Sequence, residues 1–181
     1  MENIQVIPKA RIPIIKFKDP RSGLDVDISL DNRLAIHNSM MLKSYAQEER
    51  LQRLIQMVKY WASRRGINNA FDGTLSSYAW TLLSIQHAQL VQPPLAPNRQ
   101  QGAEANPITF KGTTYDVGYN DEHYATENNQ SLASLLISFF ERFATRWDWE
   151  NMVVSVRSGE ALLTKAKKWK HTGPLPLEVV T

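Results

Sequence analysis

The chain has no cysteine among its 181 residues. This absence excludes three classes of site together: a disulfide framework, a zinc site built on thiolates, and a thiol nucleophile. It also fits a reducing compartment, in which proteins do without disulfide bonds. Any reactive group of this chain must therefore be another kind of side chain.

Long apolar runs and several familiar motifs are missing as well. The opening residues MENIQVIPKARIP contain no apolar stretch typical of a signal peptide. No run approaches the ~20 apolar residues that a membrane helix needs, so we expect no membrane partner. No glycine-rich phosphate loop and no Ser-His-Asp order is visible. The spacing of the four histidines does not indicate zinc; they are His37, His87, His123 and His171.

The composition that is present indicates a folded and mildly basic protein. Hydrophobic residues make up 43% of the chain and charged residues 22%, which is enough apolar material to bury a core. The length suits one sizeable domain, or a small domain with an appendage. The net charge of +3 is compatible with nucleic-acid binding but does not identify it.

The N-terminal part predicts a β-hairpin with one acidic face. Residues 12–18 are predicted to form an Ile-rich strand, and residues 19–23 are a cluster of turn residues. Apolar and polar residues then alternate over residues 24–30, so Asp25 and Asp27 share one face of the second strand. Two strands alone do not make a stable sheet. The hairpin must therefore pack on helices or form the edge of a larger sheet.

Helical periodicity takes over after residue 33. Apolar residues recur at helical spacing over residues 34–46, 50–65 and 131–147. A further helix is predicted to begin with Thr74 as its N-cap and to end near Val91, because a proline pair follows. These segments predict a mostly helical body.

The connection between residues 93 and 129 is polar and rich in Asn, Pro and Gly. A short helix after Pro94 and a strand near residues 108–110 are predicted within it. The fold class expected for the whole chain is α+β: a mostly helical central domain, residues 34–181, preceded by the β-hairpin within residues 1–33.

Asp25 and Asp27 allow two interpretations. Carboxylates at positions i and i+2 of a strand can approach one cation, and nucleotidyl transfer uses magnesium ions held in this way. The alternative is a solvated strand face, since the Asp-X-Asp pattern is common. The pattern by itself favours the solvated face.

Several longer motifs follow one another along the chain. They are IPIIKF, DVDISLDNRLAIHN, LIQMVKYWASRRGIN, GTLSSYAWTLL, PPLAPN, YDVGYND and SLASLLISFFERFA. In this order they resemble the terminal RNA nucleotidyltransferases, meaning the terminal uridylyltransferases and the cytoplasmic poly(A) polymerases of the DNA polymerase β-like superfamily. The resemblance covers almost the whole chain, and the order of so many motifs makes it far more specific than any one of them.

The resemblance implies a metal-binding role for Asp27. In the family three aspartates bind the catalytic metal ions, Mg²⁺ (or Mn²⁺), and Asp27 matches the third. Asp25 matches no assigned role. The Gly-Ser motif and the first two aspartates of the family are absent from residues 1–21. We therefore expect Asp27 to be one third of a metal site, and the hairpin to be the edge of an incomplete catalytic (palm) sheet.

The resemblance also implies a pocket for the sugar of the incoming nucleotide. Asn38 matches an asparagine that contacts the sugar hydroxyls, and an amide can both donate to and accept from a hydroxyl. Ala35 and Ser39 match residues that line the same pocket. Without the resemblance, Asn38 would be interpreted as part of a helix start.

Three further positions match residues that bind the triphosphate and the base. Lys59 and Ser77 match residues on the triphosphate, and Tyr78 matches a tyrosine that stacks under the base. The alternatives are a solvated lysine and ordinary helix packing. Ser63 departs from the family, which often has a second lysine there, one turn after Lys59. The basic cluster Lys165, Lys167, Lys168 and Lys170 fits either RNA phosphates or a solvated tail.

The resemblance ends before the family segment that recognises the base. We expect the chain to be the middle of a longer enzyme, an incomplete gene model or a degenerate paralogue. The expected function is transfer of UMP or AMP, from UTP or ATP, to an RNA 3′ end by a two-metal mechanism, in the cytoplasm, with this chain inactive alone. The alternative is an inactive RNA- or protein-binding helical module derived from the family.

Overall fold

The computed structural model describes residues 2–10, 12–160 and 162–163, the last two by their backbone alone. Four α-helices form the body, and three small antiparallel sheets accompany them, which confirms the predicted α+β class. The helices are α1 (Arg33–Tyr45), α2 (Glu49–Arg64), α3 (Ser77–Leu90) and α4 (Leu132–Glu141). The strands are β1 (Glu2–Ile7), β2 (Ile14–Lys18), β3 (Asp25–Ser29), β4 (Pro107–Phe110), β5 (Thr113–Asp116), β6 (Met152–Val153) and β7 (Leu162–Leu163).

The predicted hairpin is present as β2 and β3, and β1 adds a third strand that the sequence pattern did not show. The sheet order is β1-β2-β3, and all neighbours are antiparallel. Ile15 pairs with Ile28, and Lys16 pairs with Asp27. The pleat therefore places Asp25 and Asp27 on one polar face, as predicted, and leaves an apolar face that includes the exposed side chains of Ile15 and Ile28.

Helix α3 occupies the centre of the helical body. All residues of α3 from Thr81 to Gln89 are buried, and Leu90 is half-buried. This part of the helix is therefore enclosed on all sides. Helix α2 contributes a one-sided stripe in which Leu51, Leu54 and Val58 are fully buried. Of the apolar residues at helical spacing over residues 131–147, Leu135, Phe139, Phe143 and Trp147 are buried as well. The predicted core positions are thus confirmed where periodicity was strong.

Two predicted helix boundaries were wrong. Helix α3 begins at Ser77, and its N-cap is Ser76, whose hydroxyl accepts from the Ala79 N–H at 3.1 Å. Thr74 instead closes a loop, because its hydroxyl bonds to the backbone of Asn69. The fourth helix ends at Glu141, and residues 142–146 continue as one wider π-helical turn.

The long connection differs from the prediction in two respects. No helix follows Pro94 within the described residues, since residues 91–100 form turns and irregular chain. The predicted strand near residue 108 is confirmed as β4, and it has an unpredicted partner in β5.

Phe110, at the end of β4, joins a small apolar cluster with Val117, Leu34 and Ile12. The cluster joins residues from both sides of the predicted domain boundary at residue 33. That boundary stays a prediction.

Arg99 attaches the long connection between α3 and α4 to the helices. Its side chain is 4% exposed and donates to the carbonyl oxygens of Ser44, Asn120 and Glu122 at 2.9–3.0 Å. Its guanidinium carbon also lies 5.5 Å from the centre of the Tyr45 ring. Buried charge is costly unless it is hydrogen-bonded, so these contacts fix the loops against the end of α1.

A buried polar chain links α3 to α4 through His87. Arg142 Nε donates to His87 Nδ1 at 3.1 Å, so Nδ1 is an acceptor and the proton of the neutral ring lies on Nε2. Nε2 then donates to the Ser138 hydroxyl at 3.1 Å, and that hydroxyl donates to the Leu135 carbonyl. Burial, and then the positive charge of Arg142, lower the pKa of His87 to about 4.

None of the helices within the described residues has the length and apolar character that a bilayer crossing requires. The basic cluster Lys165, Lys167, Lys168 and Lys170, and His171, lie outside the described residues.

The lowered pKa of His87 predicts acid sensitivity. Below an ordinary histidine pKa of 6.5 the unfolded chain binds a proton that the folded chain refuses until about pH 4. Stability should therefore be full above pH 6.5 and fall as the pH drops to about 4, by on the order of 3 kcal/mol. Urea unfolding at several pH values measures this loss.

The His87→Gln variant is the control. It should be less stable at pH 7 but should show a clearly smaller loss between pH 6.5 and pH 4. An unchanged slope in this variant would mean that other groups cause the acid sensitivity.

Candidate functional site

Asp27 lies on the polar face of the three-stranded sheet. Strand β3 exposes its carboxylate, and β2 places Lys16 directly opposite. Lys16 Nζ lies 3.1 Å from Asp27 Oδ2, and both side chains remain partly exposed. Asp25 occupies the same face opposite Lys18. The carboxylate therefore already has one cationic neighbour. Lys16 was not among the predicted site residues, although the register of the hairpin places it opposite Asp27.

The described residues offer suitable oxygen ligands for a divalent metal on this face, but not a complete set. Asp27 is exposed and its carboxylate is the type of ligand that Mg²⁺ prefers. Within the described residues, however, no group of three Asp, Glu, His or Cys side chains could hold a metal ion. Asp27 thus fits a metal only as one ligand among several.

The loop between α2 and α3 reaches toward the same sheet face. At its tip the Phe71 ring is 89% exposed, and its centre lies 5.9 Å from Lys16 Nζ. This contact connects the sheet to the helical body next to Asp27. Phe71 was not among the predicted site residues; the available signal was a large aromatic residue within the turn-rich stretch NNAFDGT.

The N-terminal half of α1 forms one wall of an open groove. Ala35 and Ser39 line this groove of about 730 Å³ together with Ser29 at the end of β3. The Ser39 hydroxyl donates to the Ala35 carbonyl at 2.7 Å, which holds the serine against its own helix. Asn38, on the same helix, is half-buried and is not among the residues that line this groove, and no described residue makes a hydrogen bond with its amide. The amide is therefore available to a ligand.

Lys59 extends from the exposed side of α2. Within the described residues no carboxylate forms an ion pair with its ammonium. Ser63, one turn further along, is exposed on the same side. The exposed face of α2 thus presents one cation and one hydroxyl.

Ser77 and Tyr78 form the first turn of α3. Backbone N–H groups at a helix N-terminus lack partners within the helix, and the helix dipole makes this end favourable for anions. The Ser77 side chain is half-buried at this end. An anionic group bound here would meet the helix N-terminus and the Ser77 hydroxyl together.

Tyr78 packs partly into the main core. Its ring contacts the buried cluster around Leu82, and its hydroxyl is buried without a hydrogen-bond partner among the described residues. Burial raises the pKa of Tyr78 to about 12, so the phenol is neutral at physiological pH. The ring is therefore held rigidly, and it remains partly exposed.

Helices α2 and α3 run antiparallel and bring these residues to one end of the body. The rings of Trp61 and Trp80 meet at 5.7 Å, and Trp80 Nε1 donates to the Ile67 carbonyl in the connecting loop. Lys59 precedes Trp61 by two residues, and Tyr78 precedes Trp80 by two. Lys59 and the first turn of α3 therefore both lie near the loop that carries Phe71. Residues two positions apart on a helix project to different sides, so the tryptophan contact fixes the end of the helix pair and not the direction of the Lys59 and Tyr78 side chains.

Two family models match separate parts of the chain. Residues 1–47 match the central palm domain of mitochondrial-like poly(A) RNA polymerases. Residues 131–178 match the Cid1 family of poly(A) polymerases.

Curated proteins of similar sequence include poly(A) RNA polymerases and a terminal uridylyltransferase. The poly(A) RNA polymerase GLD2-A of Xenopus laevis is 34% identical over 165 residues, which cover 90% of this chain and 32% of the relative. The terminal uridylyltransferase cid1 of Schizosaccharomyces pombe is 36% identical over 182 residues, covering 92% and 44% respectively. The chain thus spans a third to less than half of the length of these relatives.

Solved structures of Cid1 have the same fold. The Cid1 poly(U) polymerase superposes with a TM-score of 0.86 at 33% identity, over 98% of this chain and 59% of that chain. Cid1 in complex with its short product ApU gives a TM-score of 0.87 at 32% identity, over 98% and 58%. The order of motifs, the fold and these relatives agree. The chain belongs to the family of terminal RNA nucleotidyltransferases, which comprises terminal uridylyltransferases and poly(A) polymerases of the Cid1 type.

Proposed function

We propose that this chain forms the central part of an enzyme that transfers UMP or AMP, from UTP or ATP, to the 3′ end of RNA in the cytoplasm. The observation that carries the proposal is the grouping of a cation, a helix N-terminus and an aromatic ring at one end of α2 and α3. A loop from this end contacts the sheet face that bears Asp27. Nucleotide and acidic groups would thereby meet in one cleft.

The triphosphate would bind at the N-terminus of α3. The exposed Lys59 ammonium, the Ser77 hydroxyl and the first N–H groups of α3 all favour anions. The exposed location of Lys59 means that water screens its charge, so one lysine gives modest affinity.

The base and the sugar would contact two different helices. The rigid Tyr78 ring offers a stacking surface that accepts any base, because each base has a π-face. The Asn38 amide on α1 can donate to and accept from the ribose hydroxyls. This arrangement favours ribonucleotides without selecting between uracil and adenine.

Asp27 would be one ligand of the metal ions in a two-metal mechanism, with Mg²⁺ or Mn²⁺. Such ions, when bound, activate the attacking 3′-hydroxyl and offset the charge on the leaving phosphate. Since the described residues contain no group of three side chains that could hold a metal ion, we propose that the 181-residue chain does not extend RNA by itself.

The same observation supports a second candidate. A chain with one metal-binding carboxylate could serve as a catalytically inactive RNA- or protein-binding module derived from the family. Nucleotide binding separates the candidates, because a scaffold has no need for the Tyr78 and Lys59 site.

Nucleotide binding should depend on the Tyr78 ring and not on its hydroxyl. Tyr78→Phe should bind UTP or ATP within about twofold of the original chain, because the hydroxyl has no partner to lose. Tyr78→Leu keeps an apolar side chain but loses the aromatic face, and should bind about 5- to 100-fold more weakly. Calorimetric titration with Mg²⁺ present measures both.

Equal affinity in the Leu and Phe variants would contradict the stacking role of Tyr78. Absence of binding to the original chain at millimolar UTP and ATP would favour the scaffold.

Ser63→Lys should strengthen triphosphate binding. The new ammonium would lie one helical turn from Lys59 on the exposed side of α2, where the family often has a lysine. Like charges at this spacing cost about 0.2–0.5 kcal/mol of helix stability, which the fold can tolerate. Affinity for UTP or ATP should rise severalfold, and affinity for uridine or adenosine should stay unchanged. An equal gain for the nucleosides would mean that the effect is not electrostatic.

The chain alone should give no RNA extension. A labelled oligoribonucleotide incubated with the chain, UTP or ATP, and Mg²⁺ or Mn²⁺ should keep its length on a sequencing gel. Asp27→Asn is the matched control for contaminating activity. Extension that disappears in this variant would refute inactivity while supporting the metal role of Asp27.

A further inference from the structure

Phe71 is an unusually exposed aromatic residue. At 89% exposure it is the most exposed of the large hydrophobic side chains in the described part of the chain. It belongs to neither of the two apolar clusters. Packing within the chain therefore does not explain why an apolar ring stands at this position.

The loop that carries Phe71 is held in one shape by Asn69. The Asn69 side chain accepts from the Phe71 N–H at 3.2 Å and donates to the Asp72 carboxylate at 2.7 Å. The Asn69 N–H donates to the Thr74 hydroxyl, which in turn donates to the Asn69 carbonyl, both at 2.9 Å. Gly73 closes the turn with a positive φ of 75°. The exposed ring is thus presented by an ordered loop.

The ring stands beside the carboxylate of the proposed metal site. Lys16 Nζ lies 5.9 Å from the centre of the Phe71 ring and 3.1 Å from Asp27 Oδ2. One lysine side chain therefore bridges the distance between them. Despite this neighbour, most of the ring remains open to solvent.

We propose that Phe71 binds the terminal base at the 3′ end of the RNA substrate by stacking. The inference rests on the proposed function and adds a binding residue to it. An exposed aromatic face beside cations is the surface on which single-stranded nucleic acids bind, since stacking accepts any base. Lys16 adds a positive charge for the RNA backbone nearby.

The RNA base, rather than the incoming nucleotide, suits this position. The transferred nucleotide has its own proposed surface at Tyr78, in the first turn of α3. The RNA has to bring its terminal hydroxyl to the sheet that carries Asp27, and Phe71 is the exposed ring beside that carboxylate. Two bases that meet during transfer require two separate stacking surfaces.

The test compares two RNAs and three variants by fluorescence anisotropy. The RNAs are a 5′-labelled oligonucleotide that ends in uridine and the same oligonucleotide with an abasic 3′-terminal ribose. The variants are Phe71→Ala, Phe71→Trp and Ile137→Ala. Ile137 is an exposed apolar residue on α4, so its variant controls for the loss of exposed apolar surface elsewhere. Thermal unfolding confirms that each variant is folded, which is expected for side chains so exposed.

The expected result is a loss confined to the terminal base. Phe71→Ala should bind the uridine-ended RNA about 5- to 100-fold more weakly and the abasic RNA unchanged. Phe71→Trp should restore the affinity. Its tryptophan fluorescence should be quenched more than that of the original chain by the uridine-ended RNA, and equally by the abasic RNA. Ile137→Ala should match the original chain on both RNAs.

Three results would overturn the inference. They are an unchanged affinity in Phe71→Ala, an equal loss on both RNAs, and an original chain that does not distinguish the two RNAs. Titration of UTP into the same samples then shows whether the Phe71 inference alone has failed or the proposed function as well. If UTP binds with Tyr78-dependent affinity, the stacking role of Phe71 alone is wrong. If neither UTP nor RNA binds, the proposed function fails and this inference fails with it.

Discussion

The burial of residues 81–89 of α3 is the constraint on which the rest of the structure depends. A helix enclosed over this length cannot shift without opening the core, so the partly exposed first turn that precedes it is held in place. Its buried histidine is hydrogen-bonded on both ring nitrogens, through the Arg142–His87–Ser138 chain. The N-terminus of α3, with Ser77 and Tyr78, therefore becomes a rigid surface. Rigid positioning is what a site needs if it is to hold a flexible triphosphate in one orientation.

The sheet is attached to the body less extensively than the helices are to one another. One link is the small apolar cluster in which Ile12 meets Leu34 and Phe110. Another is the contact between Lys16 and Phe71. The Ile15 and Ile28 side chains on the opposite face remain exposed within the described residues. The carboxylate of Asp27 thus lies on a sheet with few contacts to the body, whereas Tyr78, on α3, packs against the main core.

Much of the fold follows from periodic patterns. The alternation in β3 predicted the polar face with Asp25 and Asp27, and the helical stripe of α2 predicted the burial of Leu51, Leu54 and Val58. Prediction failed where several local signals competed. Thr74 and Ser76 are both good capping residues, and only the hydrogen bonds of Thr74 to Asn69 assign the cap to Ser76. Strand β1, interrupted by irregular register and followed by proline, gave no clear alternation.

The sequence by itself determined the family, the helical stripes and the identity of the candidate residues Asp27, Asn38, Lys59, Ser77 and Tyr78, because these depend on local order along the chain. Only the tertiary structure decided what surrounds them. It paired Lys16 with Asp27, buried the Tyr78 hydroxyl without a partner, and carried Phe71 to the sheet face. The physical reason is that ion pairs, desolvation and exposure are properties of residues that lie far apart in sequence. These properties arise only in the folded chain, where α3 is enclosed by the core and the loop before α3 lies next to β2.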